Sequence, residues 1–167
     1  MALQKSKKAE IIKDLSKVFT DSTSVVFVNF HGINVSDETS LRRDLRGKEV
    51  GYKVSRKTFL KRALEGKGYG KVPELPGEIA IAYLPAQAGS KDETITPREI
   101  YNFQKTHKGI LEILGGIFEG KFISADKMKE IAMIPSREVL LSKLIFLFKS
   151  PMQHFALAVS EVAKTRG

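Results

Sequence analysis

Cysteine and tryptophan are both absent from the 167 residues, and proline occurs six times. Without cysteine there is no disulfide framework, no thiolate metal site and no thiol nucleophile. Apolar runs are short too. Runs such as Ile79 to Leu84 and Leu144 to Phe148 are far below the roughly 20 residues a membrane-spanning helix needs. The opening MALQKSKKAEIIKDL has no apolar stretch after its lysines, so it does not read as a secretory signal. Acidic residues are the scarce charge, 19 against 28 lysines and arginines, for a net charge of +9. At 42% hydrophobic residues there is enough apolar material for a core, which excludes a wholly disordered basic tail. The expectation is a soluble, basic, cytoplasmic protein with one domain and an appendage, or two small domains.

The positive charge is unevenly placed. Residues 1–70 carry 15 basic and 8 acidic side chains, residues 71–135 carry 8 and 9, and residues 136–167 carry 5 and 2. It is densest from Lys53 to Arg62, where Lys53, Arg56, Lys57, Lys61 and Arg62 are accompanied by no acid. A concentration of this kind suggests a surface that faces a polyanion.

The order of elements follows from periodicity. Ile11, Ile12, Leu15, Val18 and Phe19 recur at helical spacing within residues 6–19. Ser24 to Phe30 is β-branched and aromatic and reads as a buried strand. Ser36, with Asp37 and Glu38 behind it, is expected to cap a helix to about Arg46. A short strand from Tyr52 to Ser55 and a helix from Lys57 to Glu65 follow, the helix ended by the Gly66, Gly68 and Gly70 cluster. Glu78 to Leu84 is a second buried strand. A loop over 85–93 leads to Thr96-Pro97-Arg98-Glu99, which has the form of a capping box. Ile110 to Ile123 reads as two strands joined at Gly115-Gly116 by a bulge or tight turn, and a helix from Ser124 to about Met133 is stopped by Pro135. The alternation predicts an α+β fold: a small mixed α/β sandwich of ferredoxin-like type over residues 1–134, with sheet order left open.

Residues 135–167 carry no strand signal. Leu141, Leu144, Phe148, Met152, Phe155, Val159 and Val162 step by 3, 4, 4, 3, 4 and 3, an apolar stripe on one long, possibly kinked helix. Leu141 corresponds to Met152, Leu144 to Phe155 and Phe148 to Val159. This eleven-residue period of 3.67 per turn runs almost straight along the axis. Pro151 would cost about 3 kcal/mol inside a continuous helix, so two consecutive helical modules with Ser150-Pro151 opening the second are expected. A helix of that length is too long to pack back on so small a domain, and the stripe is read as a partner-binding surface.

The chemistry suggested by the residues is binding. In a helix starting near Lys57, residues Phe59, Leu60, Ala63 and Leu64 form a buried face, while Lys57 and Lys61 stand one turn apart with Arg56 and Arg62 flanking. Such a face neutralises several phosphates and releases their counterions. Lys5, Lys7 and Lys8 could join the footprint, and His31 beside Gly32 could touch phosphate. Phe27, Phe30 and Phe59 read as core residues, so recognition of folded RNA through its phosphates is favoured over base stacking. The Gly115–Lys121 segment matches part of a phosphate-binding loop, but Phe122 stands where a magnesium-binding hydroxyl is needed and Glu119 faces the phosphates. His31, His107 and His154 lie far apart, with no metal-ligand spacing. No cofactor, metal site or enzyme activity is expected.

Three segments, Val50 to Leu64, Leu111 to Lys121 and Ile134 to Leu144, together resemble the ribosomal protein ten family, the stalk base of the bacterial large ribosomal subunit. The likeness runs through nearly the whole chain. It implies an N-terminal domain that binds large-subunit rRNA beside ribosomal protein eleven. It also implies a C-terminal helix on which dimers of stalk protein seven/twelve assemble and recruit translational GTPases. The family's basic strand-to-helix motif falls on Lys53, Arg56, Lys57, Thr58 and Arg62. Lys57 stands where the family usually has Asn, and His31 where it commonly has Arg. The helical modules fall on Val139 to Lys149 and Met152 to Val162, which implies two stalk dimers, where longer members carry a third. The rival reading is a basic membrane-surface protein anchored by an amphipathic C-terminal helix, against which stand the few positive charges along that helix.

Overall fold

The computed structural model describes residues 5–65, 76–86, 92–107 and 109–166. The chain divides into two compact units, Met1–Ile134 and Pro135–Gly167. In order, the elements are α1 (Lys5–Asp21), β1 (Ser22–Phe30), α2 (Val35–Gly47), β2 (Gly51–Val54), α3 (Lys57–Glu65), β3 (Ile79–Pro85), α4 (Ile95–Thr106), β4 (Leu111–Phe118), β5 (Lys121–Ser124), α5 (Ala125–Ala132) and α6 (Arg137–Arg166). The Gly66, Gly68 and Gly70 stop and most of the 85–93 loop lie outside the described residues.

The five strands form one antiparallel sheet in the order β2-β3-β1-β4-β5. Strands β1 to β4 with α2 and α4 reproduce the split βαβ arrangement of a ferredoxin-like core, to which α1, α3, β5 and α5 are added. The short connections left the sheet order open because each was compatible with a crossover or a return. The pairing shows that β3 inserts between β1 and β2.

Helices cover both faces, and this explains the composition of the central strand. Val25 and Phe27 face a cluster with Leu15 and Phe19 of α1 and Phe59, Leu60, Ala63 and Leu64 of α3. Val26 and Val28 face the opposite cluster, with Leu41 and Leu45 of α2, Ile100 of α4 and Met128 of α5. A strand buried on both faces needs a continuous apolar run rather than an alternating one, and SVVFVNF supplies it.

Several boundaries move from those expected. The N-cap of α2 is Asn34 rather than Ser36, since the Glu38 N–H already pairs with the Asn34 carbonyl at 2.9 Å. Thr94 occupies the N-cap position of α4. Thr96 is fully buried instead of capping, and the Ser24 hydroxyl reaches its Oγ1 at 3.3 Å across to β1. The start of α4 is held by Arg98, which pairs with Asp92 at 3.1 Å, while the Thr94 hydroxyl donates to Asp92 at 2.7 Å. Burial opposes ionisation of Asp92, but the Thr94 and Arg98 hydrogen bonds hold its pKa below the usual carboxylate value. A depressed carboxylate adds stability above its unfolded pKa of about 3.9 and loses it as pH falls through the folded value. Replacing Asp92 by Asn should therefore flatten the acid limb of the unfolding profile below about pH 4, measured by circular dichroism against pH.

The segment after Ile110 resolves differently from the expected break. Gly115-Gly116 is a bulge within one strand: Phe27 pairs with Gly115 and Val28 with Ile113, leaving Leu114 as the extra residue. The reversal comes later, at Glu119 and Gly120, both at positive φ (50° and 73°), as a two-residue hairpin turn requires. This segment is therefore a strand and a hairpin, not a phosphate cradle. A Cβ on Gly116 would collide with the Val25 carbonyl oxygen and with Met128 Cε. Gly116→Val should cost about 3 kcal/mol by overpacking and lower Tm by about 10 °C. Gly120→Ala, whose added methyl meets open space, should cost about 1 kcal/mol. Thermal unfolding of the two variants distinguishes packing from turn strain.

In the second unit α6 runs continuously for 30 residues with Pro151 inside it. The expected second module opening at Ser150-Pro151 is not a separate helix. Proline removes only its own N–H and the pairing of the carbonyl four residues earlier. That carbonyl belongs to Leu147, which is exposed, so water can satisfy it.

Candidate nucleic-acid interface and exposed helix

The basic window is set by two adjoining elements. Strand β2 pairs along its length with β3, from Gly51 opposite Tyr83 to Val54 opposite Ala80. The chain then leaves the sheet through Ser55 and Arg56 and enters α3 directly. Burial of Phe59, Leu60, Ala63 and Leu64 against α1 and the sheet fixes the rotation of α3 and turns Lys57, Thr58, Lys61 and Arg62 to solvent. Arg56 is exposed just ahead of them, and Lys53 is half-buried on β2. None of these five cations is ion-paired to a described carboxylate; the pairs among the described residues are Arg42–Glu38, Lys48–Glu99, Arg98–Asp92 and the long His107–Asp37 contact. Charges without ion-pair partners among the described residues make a receptive surface for anions, and Arg56 and Lys57 stand at the start of α3, where the backbone dipole is also positive.

The topology adds neighbours that are distant in sequence. The Phe30 N–H donates to the Glu78 carbonyl at 3.2 Å, and the Ser55 N–H to the Ile79 carbonyl at 3.3 Å. The ends of β1 and β2 and the start of β3 thus meet at one end of the sheet. Between them lies a groove of about 740 Å³ lined by Phe30 and Val54, by Arg56, Lys57 and Thr58, and by Glu78. His31 follows Phe30 on the exposed loop, its N–H bonded to the Ile110 carbonyl at 3.0 Å. Helix α1 packs on α3, which puts exposed Lys7 and half-buried Lys8 in the same layer; the Lys5 side chain lies outside the described residues.

Of the three phenylalanines read as core, Phe27 and Phe59 are buried, and Phe30 is half-buried, packed against the cluster that holds Leu41, Leu45 and Ile100 while also lining the groove. The groove's apolar part had one legible signal, Val54, an apolar residue at the end of an edge strand that the fold leaves 45% exposed. On α2, Arg42 stacks over the Tyr52 ring at 5.0 Å. Burial and then the Glu38 carboxylate push the Tyr52 phenol up to about 12, with Arg42 opposing, so it stays a neutral hydroxyl. Among the described residues no cluster of His, Asp and Glu could hold a metal ion.

The stripe on α6 is fully open: Leu141, Leu144, Phe148, Met152, Phe155, Val159 and Val162 are all exposed, Met152 at 76%. Leu140, Ile145, Phe146, Leu147 and Leu157 are exposed as well, so apolar surface spreads beyond a single stripe. Helices apolar on several sides are ordinarily buried. No helix among the described residues is long and apolar enough to cross a membrane.

Among the described residues, cations without ion-pair partners on one unit and a helix of exposed apolar side chains as the other are the surface pattern of an assembly protein. A family model described as Ribosomal protein L10 matches residues 3–95, and one described as Ribosomal protein uL10 C-terminal region matches residues 134–165. The chain is 36% identical over 162 residues to the large ribosomal subunit protein uL10 of Lacticaseibacillus casei, covering 96% of this chain and 93% of that protein. It is 36% identical over 162 residues to that of Clostridium acetobutylicum (96% and 90%). Against the Alkaliphilus metalliredigens protein it is 35% identical over 158 residues (93% and 91%). The chain belongs to the ribosomal protein L10 family, structural proteins of the large subunit of the cytoplasmic ribosome and not enzymes.

Proposed function

We propose that this chain is the stalk base of its ribosome, with its two units as separate binding domains. Residues 1–134 bind large-subunit rRNA through Lys5, Lys7, Lys8, His31, Lys53, Arg56, Lys57, Thr58, Lys61 and Arg62, beside ribosomal protein eleven. Residues 135–167 carry dimers of stalk protein seven/twelve on Leu141, Leu144, Phe148, Met152, Phe155, Val159 and Val162, and those dimers recruit translational GTPases. The observation that carries this reading is the pairing, in one chain, of an unpaired cationic helix with a 30-residue helix whose apolar side chains are all exposed. The α6 residues offer roughly 1.5–3 kcal/mol each on burial, a gross driving force from which association costs of about 4–15 kcal/mol are subtracted. The membrane-surface alternative fits less well, since an interfacial helix needs one strongly polar face and α6 exposes apolar groups on several.

At about 1.5 Å per residue α6 is about 45 Å long, and its eleven-residue correspondence gives two equivalent docking stretches. Native mass spectrometry of the complex purified with its stalk partner should show one copy of this chain with two dimers. Three or more dimers would overturn the count.

A further inference from the structure

We propose that the groove at the meeting of β1, β2 and β3 receives one unstacked nucleobase of the bound RNA. The inference rests on the rRNA reading above and specifies what that site takes. Phosphates require donors and positive charge, and Arg56, Lys57 and Thr58 supply these on one wall. They do not require an apolar surface, yet Phe30 and the exposed Val54 provide one in the same groove. Such a surface matches the flat face of a base, and RNA recognition commonly takes bases out of the stack onto apolar or aromatic side chains. A volume of about 740 Å³ falls in the range of roughly 300–1,000 Å³ usual for sites that enclose a small organic group.

Glu78 sets the orientation. Glu78 is an exposed residue of the groove lining, and a carboxylate there would repel phosphate but accept from the exocyclic amine of a base, as carboxylates do from cytosine. The polarity of the groove therefore directs phosphate toward Arg56 and Lys57 and an amino-bearing base edge toward Glu78. Uracil, which has no exocyclic amine, is the disfavoured base.

The test is ultraviolet crosslinking of the full chain bound to purified large-subunit rRNA, followed by peptide mass mapping. Nucleobase adducts within the peptides holding Phe30 and Val54 to Thr58 are expected. Val54→Asn, a change at an exposed position, should weaken rRNA binding about tenfold, the size of one lost stacking contact, without changing the slope of log K against log salt. Adducts confined to other surfaces, or unchanged affinity in Val54→Asn, would overturn the nucleobase site while rRNA binding by the unmodified chain still upholds the parent reading. Failure of the unmodified chain to bind rRNA would overturn both.

Discussion

A chain in which Arg56, Lys57, Lys61 and Arg62 are all replaced by glutamate is expected to lose rRNA binding while keeping its fold. Each cation that neutralises a phosphate contributes about 0.7–0.9 to the slope of log K against log salt. Removing four contacts should reduce that slope by about 3. Reversal also adds repulsion, so affinity at moderate salt should fall by about a thousand-fold or more. The fold should survive because all four side chains are exposed and surface changes of this kind usually stay within about 0.5 kcal/mol. The buried face of α3, made by Phe59, Leu60, Ala63 and Leu64, is untouched. Filter binding over a salt series, with circular dichroism of the same variant, measures both halves. Unchanged affinity would remove α3 from the interface.

How much of this was legible beforehand varied with the kind of signal. The α3 surface was, since a short amphipathic helix has only one way to bury four apolar residues, and the cations must then face water. Strand β1 was equally readable, because a run such as Val25 to Val28 is tolerable only between two apolar layers. The ferredoxin-like core followed from element alternation, but the place of β3 between β1 and β2 did not, as it depends on pairings between residues some 25–60 positions apart. Local cap chemistry misled at Thr96, where burial against Ser24 prevailed over the capping-box pattern. Pro151 misled in the opposite direction, since a solvent-exposed helix tolerates an unpaired carbonyl that a buried one would not. The groove was illegible for a topological reason: Phe30 and Val54 end two strands, Glu78 stands just before a third, and they share no local pattern.

Ending the chain after Ile134 should abolish association with the stalk partner and leave rRNA binding within about twofold of full length, provided phosphate contacts carry that affinity. The buried apolar residues of the described structure run from Leu15 to Ala132. Both core clusters are therefore complete without α6, and the shortened chain should unfold cooperatively at nearly the same temperature. What it loses is the exposed apolar helix, the part of the chain with too little burial of its own to stabilise it. Isolated helices depend on packing more than propensity, and α6 also contains Pro151, so its order should rise when the stalk partner covers it. Co-purification of full-length and shortened chains tests the division directly: rRNA with both, the acidic stalk protein with the full chain alone. Retention of the stalk protein by the shortened chain would place its binding surface on residues 1–134. Loss of rRNA would mean that α6 contributes to that interface, and the two units would no longer have separate partners.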